Sequence, residues 1–278
     1  MLRKRVVTAI LMASAFLVGV NWLSVQVLAT LFAVVIALGA WEWSSLAELR
    51  QPLVRGLYVL VTLVGAAFLY RLTGLEAVST VDRIQPVLGF GCFWWCLALL
   101  WVRSFPKSRS LWDSRLARAL MGLLILLPAW LAAVYLLQIE KRGAVLVVMV
   151  LIVAAADIGA YFTGRAMGRH ALAPAVSPGK TWEGMWGGVV SVCVLAAALW
   201  SVLPPRFDHL SLASALLVAL ATCLASVLGD LTVSMVKRSS GMKDSGSLLP
   251  GHGGLLDRLD SLCAAAPAFA LSLILVDF

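Results

Sequence analysis

Between Lys237 and Asp260 the chain reads KRSSGMKDSGSLLPGHGGLLDRLD. These 24 residues hold four basic side chains (Lys237, Arg238, Lys243, Arg258), three aspartates (Asp244, Asp257, Asp260), one histidine (His252) and five glycines. Ammonium, guanidinium and glycine amide groups suit phosphate oxygens, whereas carboxylates suit hard cations. The stretch follows a long apolar run, so the chain gathers charges that are scarce elsewhere in its second half. A site for phosphate and metal chemistry would need that.

Two further acids stand inside apolar runs. Asp157 interrupts GAVLVVMVLIVAAADIGAYFTGR, and Asp230 interrupts LASALLVALATCLASVLGDLTVSMVKR. A carboxylate in a membrane span costs a few kcal/mol, so each marks a function or an ion pair with an arginine of a neighbouring helix. Asp230, Ser234, Lys237 and Arg238 stand at i, i+4, i+7 and i+8, one helical face. Asp257 and Asp260, at i and i+3, share another; taken singly, either is equally an N-terminal helix cap. Together Asp230, Asp257 and Asp260 form the oxygen-only donor set that Mg²⁺ takes, with phosphate and water completing the shell. Gly253 and Gly254, with Gly251 and His252, read as a phosphate-cradling loop or as a plain capping turn. Upstream, SPGKT is no Walker A loop, because Pro174 stands where that motif needs glycine. Ser177 before Pro178 predicts an N-cap with proline at N1. That would put Lys180 and Thr181 at an anion-attracting helix start, or leave Lys180 a snorkelling side chain on a capped helix. Glu183 serves the electrostatics of the same helix start.

The elements that must position these residues are membrane helices. The 278 residues are 62% hydrophobic and 13% charged, with mean hydropathy +0.96. That composition excludes an ordinary soluble domain. The expected fold is all-α and polytopic. About nine spans are predicted, near 6–20, 22–41, 56–74, 86–102, 119–137, 144–162, 183–203, 211–236 and 261–276. With the N-terminus cytoplasmic, 17 of the 22 Lys and Arg fall on the inside, and Arg71, Arg83, Lys141, Arg142 and Arg206 on the outside. This topology places the polar chamber at the cytoplasmic side, along with the basic connection Arg103–Arg118. It also explains the net charge of +8 without nucleic acid: the expected partners are anionic lipids. The opening MLRKR and Val27-Leu28-Ala29 imitate a signal peptide and its cleavage site, but the polytopic character favours a retained segment. The five cysteines lie in apolar spans and read as small hydrophobes. Residues 1–140 are expected to be scaffold helices and 141–278 the catalytic region of one integral membrane unit. No internal repeat is visible, which argues against a transporter of inverted halves.

The second half resembles the phosphatidate cytidylyltransferase (CDP-diacylglycerol synthase) family. Ser234, Lys237-Arg238, Lys243-Asp244, Pro250, His252-Gly253-Gly254 and Asp257-Arg258-Leu259-Asp260 fill that family's signature without departure. DIGAYFTGRAMGRH and SPGKTWEG extend the resemblance back to Asp157. The resemblance implies an enzyme of the cell's inner (plasma) membrane, with its active site facing the cytoplasm. Such an enzyme joins CTP and phosphatidate into CDP-diacylglycerol and pyrophosphate, requires Mg²⁺ (one ion or two) and works as a homodimer. On this reading Asp230, Asp257 and Asp260 hold metal. Lys237, Arg238, Lys243, Asp244, His252 and Arg258 carry the catalytic electrostatics. Ser177, Lys180, Thr181, Ser234, Asp157, Tyr161, Gly253 and Gly254 bind substrate. The rivals are a CTP-dependent polyprenol or lipid kinase, a cytidylyltransferase for another lipid phosphate and, more remotely, a lipid or ion transporter.

Overall fold

A computed structural model describes residues 13–75, 81–139, 143–203, 210–246, 248 and 253–277. The expected residues Gly251 and His252 lie outside the described residues, as does the start of the first expected span. The described chain is almost wholly helical. A short apolar helix α1 (Ala13–Trp22) is followed by α2 (Val25–Leu46), α3 (Pro52–Thr73), α4 (Val81–Ser104), α5 (Arg109–Trp112), α6 (Arg115–Ile139) and α7 (Ala144–Met167). A small hairpin of β1 (Ala171–Ala173) and β2 (Ser177–Thr181) precedes α8 (Trp182–Ser201), α9 (Leu212–Ser239) and α10 (Leu256–Leu275).

Among the described residues, eight helices are long and apolar enough to cross a membrane: α2, α3, α4 and α6 to α10. They match the last eight expected spans in order, with shifted ends. Pro52 opens α3 at a position where its missing N–H costs nothing. Helix α4 begins at Val81, earlier than expected, and keeps Pro86 in its first turns. Helix α9 runs on through Lys237 and Arg238 to Ser239, so the first two basic residues of the polar stretch ride on the helix itself.

Two helices form the interior. Of their most apolar windows, 61% of α6 and 56% of α10 is buried, against 17–33% for the other spans. In lipid no hydrophobic force drives one helix onto another, so close packing must hold the bundle together. Helices α7 and α8 show how close it gets. A Cβ on Gly188 would lie 2.8 Å from the carbonyl oxygen of Ala156, and one on Gly184 2.9 Å from that of Ala160. The buried side chains divide into two clusters. One contains Ile36, Leu131, Val134, Met149, Val192 and Phe269. The other contains Trp43, Trp95, Ile125, Leu126, Met235 and Leu256, and it underlies the charged end of the molecule.

The α7–α8 seam yields a stability prediction. Gly188→Leu should force the two helices apart and cost about 1–3 kcal/mol. A lowered thermal midpoint of the detergent-purified protein would register it, whereas an unchanged midpoint would mean that the seam is not tight.

Candidate functional site

The charged residues meet where α9 crosses α10, and glycine makes that crossing possible. A Cβ on Gly229 would stand 2.3 Å from the carbonyl oxygen of Asp260, so no other residue fits without moving a backbone. The next residue on α9 is Asp230, which this contact brings within electrostatic reach of Asp260. Ser234, one turn on, donates its hydroxyl to Asp230 Oδ1 at 3.1 Å, as the expected shared face requires.

Two lysines neutralise the cluster, each from a different element. Lys180 Nζ on β2 lies 2.6 Å from Asp230 Oδ2, tying the hairpin to α9. Lys237 Nζ on α9 lies 2.7 Å from Asp257 Oδ1, tying α9 to α10. Asp257 also accepts the N–H of Ser245 at 3.0 Å and that of Gly254 at 2.9 Å, so it closes the loop before α10 as well as holding a lysine. Asp260 is buried, 7% exposed. It accepts the N–H of Ser261 at 2.9 Å, and no ion pair with a described residue neutralises it.

Asp157 sits on α7, within electrostatic reach of Lys180 and Asp230. It lines a cavity of about 370 Å³ between α7, α8, α9 and the hairpin, with Tyr161, Arg165, Lys180 and Thr181 among the polar walls. Arg165 donates to the Tyr161 hydroxyl at 3.0 Å. The rest of the lining is mostly apolar, including Ala156, Leu172, Met185 and Val227.

Several sequence expectations need correcting. Ser177 does not cap a helix. It opens β2, paired with Ala173, because Pro178 suits extended backbone as well as it suits a helix start. The cap of α8 is Thr181, whose hydroxyl accepts the N–H of Gly184 at 3.1 Å. Lys180 therefore approaches Asp230 from a strand, not from a helix N-terminus. Glu183 does stand in the first turn of α8, as expected, and it also reaches back to the chain after α7, accepting the N–H groups of Arg169 and His170 and meeting His170 Nδ1 at 2.6 Å. Lys237 and Arg238 diverge, since neighbours on a helix point about 100° apart. Lys237 turns inward to Asp257, while the exposed Arg238 donates to the Val176 carbonyl oxygen at 3.2 Å. Lys243, Asp244 and Arg258 are exposed around the loop. Gly253 holds φ +82°, a left-handed conformation that favours glycine. The N–H of Gly254 is spent on Asp257, so the expected open cradle of glycine amides is partly filled from within.

The donors the site offers a cation are all hard oxygens, as Mg²⁺ prefers, and Asp230 and Asp260 lie within electrostatic reach of each other across the helix crossing. Among the described residues, however, no three acids, cysteines or histidines gather into a ready-made cage. The arrangement fits a cation held by one or two carboxylates and completed by substrate phosphates and water. A cation at Asp257 would have to take the place of the Lys237 ammonium.

Sequence reading passed over two buried charges that support the site from behind. Arg118 is 2% exposed. It donates to the Leu46 carbonyl oxygen at 3.1 Å, Glu48 at 3.0 Å, Ser240 Oγ at 3.2 Å and the carboxylate of Asp113. Asp113 also accepts from Ser239 Oγ and from Arg109 at 2.6 Å, so the end of α9 is anchored to α2 and α6. The other is Glu42, 2% exposed on α2. An acid in VVIALGAWEWSSLAELR was the available signal for it.

Partial burial pushes the Asp113 carboxyl up, but hydrogen bonds from Ser239, Arg118 and Arg109 outweigh it and hold the group below its ordinary range. A carboxylate depressed in the folded state stabilises above its unfolded pKa, and that stabilisation is lost as pH falls through the folded value. Asp113→Asn should therefore lower the thermal midpoint near neutral pH. The gap from the unsubstituted protein should close in acid well below the ordinary carboxylate value of about 4. A gap that persists there would point to lost packing instead of lost charge.

The whole chain is similar to known proteins. Residues 3–276 match the model of a family described as "Cytidylyltransferase family". The chain is 42% identical over 270 residues to the phosphatidate cytidylyltransferase of Pseudomonas aeruginosa, covering 97% of this chain and 96% of the relative. It is 40% identical over 292 residues to the enzyme of the same name from Haemophilus influenzae (97% and 98%). It is 35% identical over 279 residues to the one from Brucella suis (95% and 90%).

Proposed function

The chain belongs to the cytidylyltransferase family, and we propose that it transfers the cytidylyl group of CTP to phosphatidate, giving CDP-diacylglycerol and pyrophosphate. The observation that carries this reading is the row of acids and lysines across α9 and α10, set beside a largely apolar cavity among membrane helices. Lys180, Asp230 and Asp260 lead to Lys237 and Asp257. A substrate with a polyanionic head and an apolar tail matches both parts.

The acceptor is a phosphate monoester whose second pKa is about 6, so it is already deprotonated near neutral pH and needs no protein base. A phosphatidate oxygen attacks the α-phosphorus of CTP in line. The new P–O bond forms as the bond from the α-phosphorus to the α–β bridging oxygen breaks, and that oxygen leaves with pyrophosphate. The difficulty is repulsion between two polyanions, so the protein's task is charge neutralisation and positioning. Lys180 and Lys237 are held at the charged cluster by Asp230 and Asp257, and the exposed Arg238, Lys243 and Arg258 add positive charge around it. Ser234 orients Asp230. Asp157, Tyr161 and Thr181 line the cavity that would take the lipid headgroup, and Ser177 opens the strand that carries Lys180. Asp230 and Asp260 are the residues that would hold Mg²⁺, which when bound would neutralise phosphate charge, while Asp257 stays with Lys237 and would join them only if substrate phosphate drew that ammonium away. The distribution of Lys and Arg supports a cytoplasm-facing site in the inner membrane, and the family resemblance supports a homodimer.

The test uses purified protein in lipid with phosphatidate, CTP labelled at the α-phosphorus and Mg²⁺. Label should enter the lipid phase with release of pyrophosphate, and EDTA should abolish both. Label retained in water as CDP would replace the proposal with the lipid kinase. In the same assay Asp260→Asn should lower turnover on the order of a hundredfold or more, as removal of a preorganised electrostatic group does. Full activity of that variant at ordinary Mg²⁺ would remove Asp260 from the metal site. Lys180→Met should lose a similar factor, and unchanged turnover would place Lys180 outside the phosphate chamber.

A further inference from the structure

The amides that open α10 are orphans by the rules of helix geometry, and such amides ordinarily attract an anion. Here the anion is part of the chain. Glu42, near the C-terminal end of α2, accepts the N–H of Leu255 on Oε1 at 3.0 Å and the N–H of Leu256 on Oε2 at 2.8 Å. Oε2 also accepts the Ser245 hydroxyl at 3.0 Å. The main chain wraps this carboxylate closely: a Cβ on Gly246 would lie 2.5 Å from Glu42 Oε1, and one on Gly254 2.7 Å from Oε2.

The same loop segment serves Asp257. Ser245 gives its N–H to Asp257 and its hydroxyl to Glu42, so one residue couples the two carboxylates. Gly254 N–H goes to Asp257, while the next two amides go to Glu42. A buried carboxylate is costly unless donors surround it, and three donors with the positive end of a helix meet that need without a cation.

We propose that Glu42 is a positioning residue for cytidylyl transfer: an internal anion that occupies the start of α10 and clamps residues 245–246 onto 253–256. Two consequences follow for the chemistry. Substrate phosphates are denied the helix amides and are directed to Lys180 and Lys237. Asp257, held by the clamped loop, keeps Lys237 at the α9–α10 crossing beside Asp230 and Asp260. Glu42 touches no substrate, so it acts through the loop. This inference rests on the cytidylyltransferase reading, but its structural half can be read without turnover.

Glu42→Gln is the informative variant, because it is isosteric yet keeps one acceptor oxygen where two are used. Its amide nitrogen would face an N–H or a hydroxyl. Hydrogen–deuterium exchange of the lipid-embedded protein should show faster exchange in the 245–256 segment only, with α6 unchanged. In the transfer assay kcat/KM for CTP should fall about tenfold or more, the scale of losing a hydrogen bond to a buried charge. Glu42→Asp should exchange less rapidly than Glu42→Gln and recover part of the activity. Unchanged exchange in Glu42→Gln would overturn the clamp. Faster exchange with unaltered kcat and KM would overturn the positioning role while leaving the clamp. If Glu42→Gln does not fold, Ser245→Ala removes one of the three bonds and carries the same two readouts. A protein inactive before any substitution, but with the loop protected, would count against the enzymatic reading and leave the clamp standing.

Discussion

The contact between Gly229 of α9 and the backbone of α10 at Asp260 governs the spacing of the charges at the centre of this site. Two helices that meet carbonyl to α-carbon bring Asp230 and Asp260 together inside an apolar bundle, where like charges are costly. The other ionic features offset that cost. Lys180 arrives from a hairpin, Lys237 from the same helix, and Asp257 takes up the second lysine. The site is consequently a concentration of charge that the fold must hold against repulsion, which suits it to phosphates that bring charge of their own.

Holding it requires anchors outside the site. The C-terminal end of α9 is tied by Arg118, Asp113, Ser239 and Ser240 to α2 and α6. The start of α10 is tied by Glu42 to α2. Helix α2 therefore reaches both sides of the charged end, although it contributes nothing to the signature residues. The cavity beside the site has a complementary construction, with close-packed α7 and α8 forming one wall and the hairpin carrying Lys180 across its mouth. Rigid walls and a few charged side chains suit a substrate whose head must be aligned and whose tail need only be accommodated.

Much of this was legible beforehand. Helices α2 to α4 and α6 to α10, apart from the short α5, follow from apolar runs of membrane length, because lipid leaves the backbone no partner but itself. The pairing of Ser234 with Asp230 follows from helical periodicity on a single element. The hairpin was not legible. Ser-Pro-Gly-Lys-Thr suits a helix start and an extended strand about equally, and the choice fell to pairing with Ala171–Ala173. The roles of Glu42 and Arg118 were also hidden, since their partners, Asp113 apart, lie 70 to 214 residues away along the chain.

By itself the sequence determined a membrane-spanning helical protein, a polar stretch from Lys237 to Asp260, and which acids and bases were available to meet at the charged end. Each of these depends on local composition or on spacing within one element, which periodicity and hydropathy report directly. Only the tertiary structure decided which acid meets which lysine, that Thr181 and not Ser177 caps α8, and that α10 begins on a carboxylate from α2. Those outcomes depend on where separate helices cross, and a crossing is set by close contact between distant backbones.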